Sequence, residues 1–275
     1  MTSAPLPPPL GQSVEHELRA LLRAQGSALV ALSGGVDSTL IAALAAQELP
    51  GKVVAATGVS ASLATAELAD IQAFCHNWKI PHATVITDEL ASPGYVQNSP
   101  DRCYFCKSEL YDRLGELARD RNLAVILDGT HFTDLGGHRP GHRAAQERQV
   151  LSPLVEIRAT KDHIRELAAR LNLPNASRPS SPCLSSRIAY GVQVTPERLS
   201  KVEKAEALLK ELGLPRLRVR LHDHIARIEV PTQDLARVVD HADRIHTELK
   251  KIGFTYVTLD LGGLRSGSLL EVIQS

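Results

Sequence analysis

The chain predicts an α/β fold, a parallel sheet covered by helices on both faces, followed by a smaller α+β domain. Two observations predict this. Between residues 28 and 127, short and almost wholly apolar runs alternate with helical patterns, as strands buried on both faces require. Beyond residue 195 the order changes to helix, two alternating strands, helix and strand. A chain of 275 residues accommodates two domains, and the boundary is placed between 175 and 195, giving residues 1–185 and 190–275.

The elements follow in order. Val14, Leu18, Leu21 and Leu22 share one face of a helix over 13–25. A strand from Ala28 to Leu32 precedes a helix from Ser38 to Glu48, and one from Lys52 to Thr57 precedes a helix over 64–79. Ala83 to Thr87 leads through a long loop to a helix over 106–120, and the strand Ala124 to Leu127 follows. A polar segment, 129–149, leaves that strand; a helix from Thr160 to Leu171 stops before Pro174. Thr195 caps a helix that opens at Pro196 and runs to Gly213. In "RLRVRLHDHIARIEV", Arg216, Arg218 and Arg220 face one way and Leu217, Val219 and Leu221 the other. His222-Asp223-His224 reads as a hairpin turn rather than a metal pair, because no further ligands cluster with it. One helix over 232–251 and a strand over 255–261 complete the domain.

Composition limits the function. Thirty-one basic and 31 acidic residues cancel, which argues against a nucleic-acid surface. No run of 18 apolar residues exists to span a membrane. The opening MTSAPLPPPLG lacks the basic flank and apolar core of a signal peptide and reads as a proline-rich leader. The four cysteines, Cys75, Cys103, Cys106 and Cys183, then read as reduced thiols, ligands or catalysts in a cytoplasmic protein.

The sharpest motif is Ser33-Gly34-Gly35-Val36-Asp37-Ser38, set between a buried strand and a helix. Two glycines allow a tight turn and close approach to an anion, and the helix start supplies unpaired amides and its positive dipole end. Ser33 and Ser38 add hydroxyls, and Asp37 is placed to hold Mg²⁺ or to orient the loop. The plainer reading is a Gly-rich turn with Ser38 as a cap; the full hexapeptide in strand–loop–helix context favours a phosphate site. The Walker pattern is absent. The hexapeptide resembles the pyrophosphate loop of the ATP pyrophosphatase (PP-loop) superfamily, which includes GMP and NAD synthetases and tRNA thiolation enzymes. The resemblance implies a Rossmann-like parallel sheet of the adenine-nucleotide alpha-hydrolase type, and cleavage of ATP between the α and β phosphates. It also places Thr57-Gly58 and Gly129-Thr130 near the adenosine.

Two further segments narrow the choice: "SPDRCYFCKSELYDRL", with Cys103-x-x-Cys106, and "PCLSSRIAYG", with Cys183 in a loop of Pro, Ser and Arg. With "DGTHFTDLGGHRPG" and the "RVR…ARIEV" strands, they resemble the sulfur transferases that help build the nickel-pincer cofactor of lactate racemase, the LarE family. His131 and Phe132 depart from that pattern, which has Asn and a small or acidic residue there. The resemblance implies that a carboxylate of a pyridinium dicarboxylate mononucleotide is adenylated and that sulfur then displaces AMP. It implies one of two sulfur sources. Cys103, Cys106 and Cys183 hold a [4Fe–4S] cluster with one open iron, or Cys183 alone sacrifices its sulfur and becomes dehydroalanine. The cluster is favoured, because sacrifice leaves the C-x-x-C pair unexplained. Zinc held with His76, His131 or His138 is the remaining metal reading. Cys75 sits among Leu68, Ile71 and Trp78 and reads as a buried apolar residue.

Arg218 and Arg220 are expected to bind the substrate phosphate by their guanidinium forks, against the plainer reading of a solvated strand face. Glu206 and Glu229 are candidates for a divalent cation or the pyridinium charge. Arg187 is expected either to steady the anionic intermediate or to cap the Cys183 loop. The alternatives are a tRNA thiolase, an amidating synthetase, or a nucleotide- or cluster-binding sensor without turnover. The family further implies a homo-oligomer and a downstream nickel-insertion protein.

Overall fold

The computed structural model describes residues 10–135, 140–179, 181–265, 267–269 and 271; residues 1–9, His138 and Arg139 lie outside them. By contacts the chain divides into two compact bodies. The first comprises residues up to 60, 65–88 and 103–181; the second comprises 61–64, 89–102 and 182–275.

The first body holds α1 (Leu10–Arg23), β1 (Ala28–Ala31), α2 (Val36–Glu48), β2 (Val53–Val59), α3 (Thr65–Asn77) and β3 (His82–Ile86). The short turn α4 (Pro93–Val96) belongs to the second body. The first continues with α5 (Arg102–Asp120), β4 (Val125–Leu127), α6 (Pro140–Glu147), α7 (Pro153–Glu156) and α8 (Lys161–Arg170). The sheet is parallel in the order β3-β2-β1-β4. β1 is buried on both sides: Ala28 and Val30 join a core with α1, α2, α3 and α8, while Leu29 and Ala31 join one with α5 and α6. All four strands therefore end at one edge, where Ser33, Ser60, Thr87 and Gly129 follow them out of the sheet.

Three expectations need correction. The helix expected over 106–120 begins at Arg102, so both cysteines of the C-x-x-C lie inside its first two turns. Within the polar segment 129–149, Pro140–Glu147 forms a helix that buries only Ala144 and Ala145, too short a stripe for periodicity to show. In the second body, the helix expected over 232–251 is two helices. His241 leaves helical geometry (φ −106°, ψ 16°) after the β-branched pair Val238-Val239 and Asp240, all poor helix formers.

The second body contains α9 (Pro196–Glu211), β5 (Arg218–His222), β6 (Ile225–Glu229), α10 (Leu235–Asp240), α11 (Ala242–Ile252) and β7 (Tyr256–Leu259). Thr195 accepts the Arg198 N–H and Pro196 opens α9, as the sequence predicts. The sheet order is β5-β6-β7, with β6 antiparallel to β5 and parallel to β7. Asp223-His224 is the hairpin turn, with Asp223 at φ 54°. Val219, Leu221, Ala226 and Ile228 are buried, as are Leu199, Val202, Ala205 and Leu209 of α9.

Thr57 ties β2 to both neighbours. Its hydroxyl donates to the Leu32 carbonyl at 2.8 Å, so at the 2.9 Å contact the donor is His82 Nε2–H. Burial pushes the His82 pKa down. A histidine held neutral contributes stability above its unfolded value of about 6.5 and loses it as the pH falls through the depressed folded value. Thermal melting should therefore drop more between pH 7.5 and 5 in the natural protein than in His82→Gln, whose amide can still donate to Thr57. Equal pH dependence would remove His82 from this role.

Candidate functional site

In the first body the site grows from the end of β1. Gly34 adopts φ +77°, which only glycine takes without strain, and Gly35 caps α2 with extended backbone. The Ser33 N–H donates to Ser38 Oγ at 3.2 Å, the two hydroxyls stand 3.1 Å apart, and Ser38 donates to the Gly35 carbonyl. Val36 is buried at the first position of α2 and Asp37 follows it. A Cβ on Gly35 would meet only Ser33 Oγ, at 3.6 Å, so the protein leaves room beside the loop that an anion's oxygens could fill.

Two neighbours from elsewhere in the chain meet the loop: Lys161, which nothing in the sequence marked, and Gly129, which the resemblance placed near the adenosine. Lys161, the first residue of α8, places Nζ 2.6 and 2.7 Å from the two Asp37 carboxylate oxygens. Gly129 brings β4 so close that a Cβ would lie 2.5 Å from Ser38 N and 2.9 Å from Ser38 Cα. Thr57 is spent on Leu32 and His82, and Gly58 backs onto Leu110, where a Cβ would meet Cδ1 at 2.7 Å. After Gly129, Thr130 donates to Asp128 through both N–H and hydroxyl, and Tyr111 donates to Asp128 Oδ2 at 2.8 Å. Burial pushes the Tyr111 phenol well up, so it stays protonated as that donor. His131 is buried, with Nδ1 2.8 Å from Thr133 Oγ1 and Nε2 3.3 Å from Asp134. Cys103 is exposed and Cys106 partly exposed on α5. Cys75 is buried, and desolvation raises its thiol to about 11, so it is inert.

In the second body, Cys183 precedes a 3₁₀ turn, Leu184–Arg187, and is partly exposed. Its carbonyl accepts from Ser186 N–H (2.9 Å), Ser186 Oγ (2.7 Å) and Arg187 Nη1 (3.1 Å). Arg187 also donates to the Pro182 carbonyl, and its Nε pairs with buried Glu206 at 2.9 Å. Those contacts describe a cap on the loop. A socket from 89–102 holds the same turn: Tyr95 Oη lies 2.5 Å from Ser185 Oγ, Arg102 donates to the Ser185 carbonyl at 2.8 Å, and the Asn98 amide donates to the Ile188, Ala189 and Val192 carbonyls. Nothing in the sequence marked Tyr95, Asn98 or Arg102.

The arginine face of β5 is graded rather than solvated: Arg216 lies exposed before the strand, Arg218 is half-buried and Arg220 is buried. Arg220 pairs with Glu229 at 3.0 Å and donates to the Ser186 carbonyl and Ser268 Oγ. Glu229 is fully buried and also takes Arg227 and the Ser268 hydroxyl. Glu206 takes Arg187 and the Val219 N–H. Burial, then Arg187, lowers the Arg218 pKa; burial, then the neighbouring Arg218, does the same for Arg220 against the pull of Glu229.

Among the described residues no group of three or more His, Cys, Asp or Glu forms a metal site. Cys103 and Cys106 in the first body and Cys183 in the second are each at least partly exposed, and a thiolate is the ligand type that iron–sulfur clusters take.

Residues 10–98 match the asparagine synthase family model. The chain is 42% identical to the uncharacterized protein slr1717 of Synechocystis sp., over 95% of this chain and 98% of that one. It is 36% identical to pyridinium-3,5-bisthiocarboxylic acid mononucleotide synthase of Lactiplantibacillus plantarum, over 89% of each chain. It is 26% identical to a component of the glutamine-hydrolyzing GMP synthase of Archaeoglobus fulgidus, over 68% of this chain and 65% of that one.

Two substitutions test the loop. Gly129→Ala drives a methyl into the first turn of α2 and should weaken pyrophosphate binding, measured by calorimetry, by about tenfold or more. Lys161→Met leaves Asp37 uncompensated beside the incoming anion and should cost about tenfold, the scale of one charge-assisted hydrogen bond. Unchanged affinity in either variant would take that residue out of the site.

Proposed function

Because the chain belongs to the PP-loop family of pyridinium-3,5-bisthiocarboxylic acid mononucleotide synthase, and is on that ground an ATP-dependent, adenylating sulfur transferase, we infer that it converts a carboxylate of a pyridinium dicarboxylate mononucleotide into a thiocarboxylate. The observation that carries this reading is the coexistence of an open phosphate loop with a partly exposed cysteine whose backbone is tied down on all sides. Ser33, Gly34, Gly35, Val36 and Ser38 cradle the β and γ phosphates of ATP, and Lys161 balances their charge. Asp37 would hold Mg²⁺, with its carboxylate exchanged from Lys161 to the metal. Thr57, Gly58 and Gly129 shape the adenosine side by backbone approach rather than by free side chains.

A substrate carboxylate oxygen attacks the α phosphorus, and pyrophosphate departs into the loop. Sulfur then attacks the activated carbonyl carbon, and AMP leaves. A free carboxylate resists such attack, whereas a mixed anhydride does not; a thiolate or sulfide is the natural nucleophile near neutral pH. Arg218, half-buried, would take the substrate phosphate, and Arg220, buried and bonded to Glu229, Ser186 and Ser268, would support it from beneath rather than offer its own fork. Glu206 and Glu229 fix the arginines that surround them, and Glu229 supplies the negative charge nearest that face. Arg187 and the socket of Tyr95, Asn98 and Arg102 set the Cys183 backbone.

Cys103, Cys106 and Cys183 would hold a [4Fe–4S] cluster, which supplies an exchangeable sulfide when bound. C-x-x-C plus a third cysteine is a ligand pattern, and all three residues are at least partly exposed. Sacrificial donation from Cys183 is the second reading, favoured by a partly exposed residue whose backbone carbonyl is held in place. The cytoplasm, homo-oligomeric assembly and a nickel-insertion protein as downstream client belong to the same proposal.

Protein purified or reconstituted without oxygen should be brown and carry about four iron and four sulfide per chain. Cys103→Ala should abolish iron binding and repeated turnover while leaving ATP binding intact. A colourless protein showing dehydroalanine at 183 after one turnover would establish sacrifice instead. Release of AMP and pyrophosphate should require the pyridinium substrate; release driven by RNA would favour a tRNA thiolase, and none with either would favour a sensor.

A further inference from the structure

The geometry points to Asn175 as a positioning residue that aims the Gly35 amide at the departing pyrophosphate, an inference that rests on the adenylation proposed above. Asn175 lies in the turn after α8 and is 7% exposed. Its Nδ2 donates to the Gly34 carbonyl at 2.8 Å and to Thr39 Oγ1 at 2.9 Å. One amide group therefore joins the middle of the phosphate loop to the first turn of α2, and both of its protons are spent.

The orientation of one peptide follows. The Gly34 carbonyl and the Gly35 N–H belong to the same planar trans unit and point in opposite directions. Pinning that carbonyl to Asn175 turns the N–H away from Asn175. The loop needs the pin because its sequence and packing supply little restraint. Gly34-Gly35 is the peptide least hindered from flipping, and Gly34 already holds φ +77°. Beneath it Ile71 gives support on one side, where a Cβ would stand 2.9 Å from Ile71 Cγ1. Beside it lies a pocket of about 170 Å³, lined by Leu32, Gly34, Thr39, Ile71, Phe74 and Asn175 among others, so packing does not complete the support. A flipped peptide would present a carbonyl oxygen to the phosphates in place of an N–H, replacing attraction with repulsion.

Magnesium pyrophosphate and ATP binding to the full-length protein, measured by calorimetry, test this directly. Asn175→Leu, of similar volume, should raise the pyrophosphate Kd about tenfold or more, as loss of a bond that aims a donor at an anion would. Thr39→Val removes the other acceptor, keeps the bond to Gly34, and should stay within about twofold of the natural protein. Asn175→Asp supplies a reading that a packing role would not move. Ionised, its carboxylate cannot donate to the Gly34 carbonyl; protonated, it can, and burial among carbonyls raises its pKa into an accessible range. The ratio of its Kd to that of the natural protein should fall as the pH is lowered from 8 to 5. If the natural protein binds pyrophosphate and Asn175→Leu binds within twofold of it, or if the Asn175→Asp ratio is flat with pH, the positioning role is overturned while the adenylation reading stands. A natural protein that binds neither ATP nor pyrophosphate overturns both.

Discussion

Helix α2 is buried along almost its whole length, from Val36 to Ala45, and the phosphate loop depends on that constraint. A helix with apolar residues on every side has no solvent face along which to slide or tilt. Its N-terminus is therefore a fixed point at the edge where the parallel strands end. Around it the chain brings up close neighbours: Gly129 against Ser38, Lys161 against Asp37, and Asn175 across Gly34 and Thr39. The loop's own residues are small and permissive. Its shape is imposed from outside, by a rigid helix and by side chains more than a hundred residues away.

The second body solves a different problem, holding a cysteine in a loop with little apolar content. It does so with buried polar groups added to the packing of Leu184 and Ile188. Arg187 with Glu206, and Arg220 with Glu229, are ion pairs almost without solvent. Such pairs add little net stability, because desolvation offsets the attraction, but breaking one leaves a stranded charge. Their effect is specificity: Arg187 and Arg220 each donate to carbonyls of the turn, at Cys183 and Ser186 respectively. Arg218 stays half-buried beside them and feels Arg187 as well as Glu206 and Glu229, with burial the first cause of its lowered pKa.

Much of this was legible in advance. The alternation of apolar runs with helical patterns reports burial directly, so the parallel sheet, the loop between β1 and α2, and the helix opening at Thr195-Pro196 follow from the sequence. Failures came where the signal is short or where competing propensities meet. α6 hides in eight residues with two buried alanines, and the break at His241 falls in a window that periodicity reads as continuous. The arginine strand was legible as an alternation, but not as a gradient of burial, because the depth of a face depends on what covers it.

The sequence by itself determined the local chemistry: a Gly-Gly turn feeding a helix, a C-x-x-C, a lone loop cysteine and a strand of arginines. These are contiguous motifs, and their spacing carries their meaning. Tertiary structure alone decided which distant groups complete them. Lys161 and Asn175 around the phosphate loop, and Tyr95, Asn98 and Arg102 around the Cys183 turn, have no local pattern that marks them. The physical reason is that a hydrogen bond or a close backbone approach constrains positions in space, and residues separated by 19 to 141 positions share space only once the chain has folded.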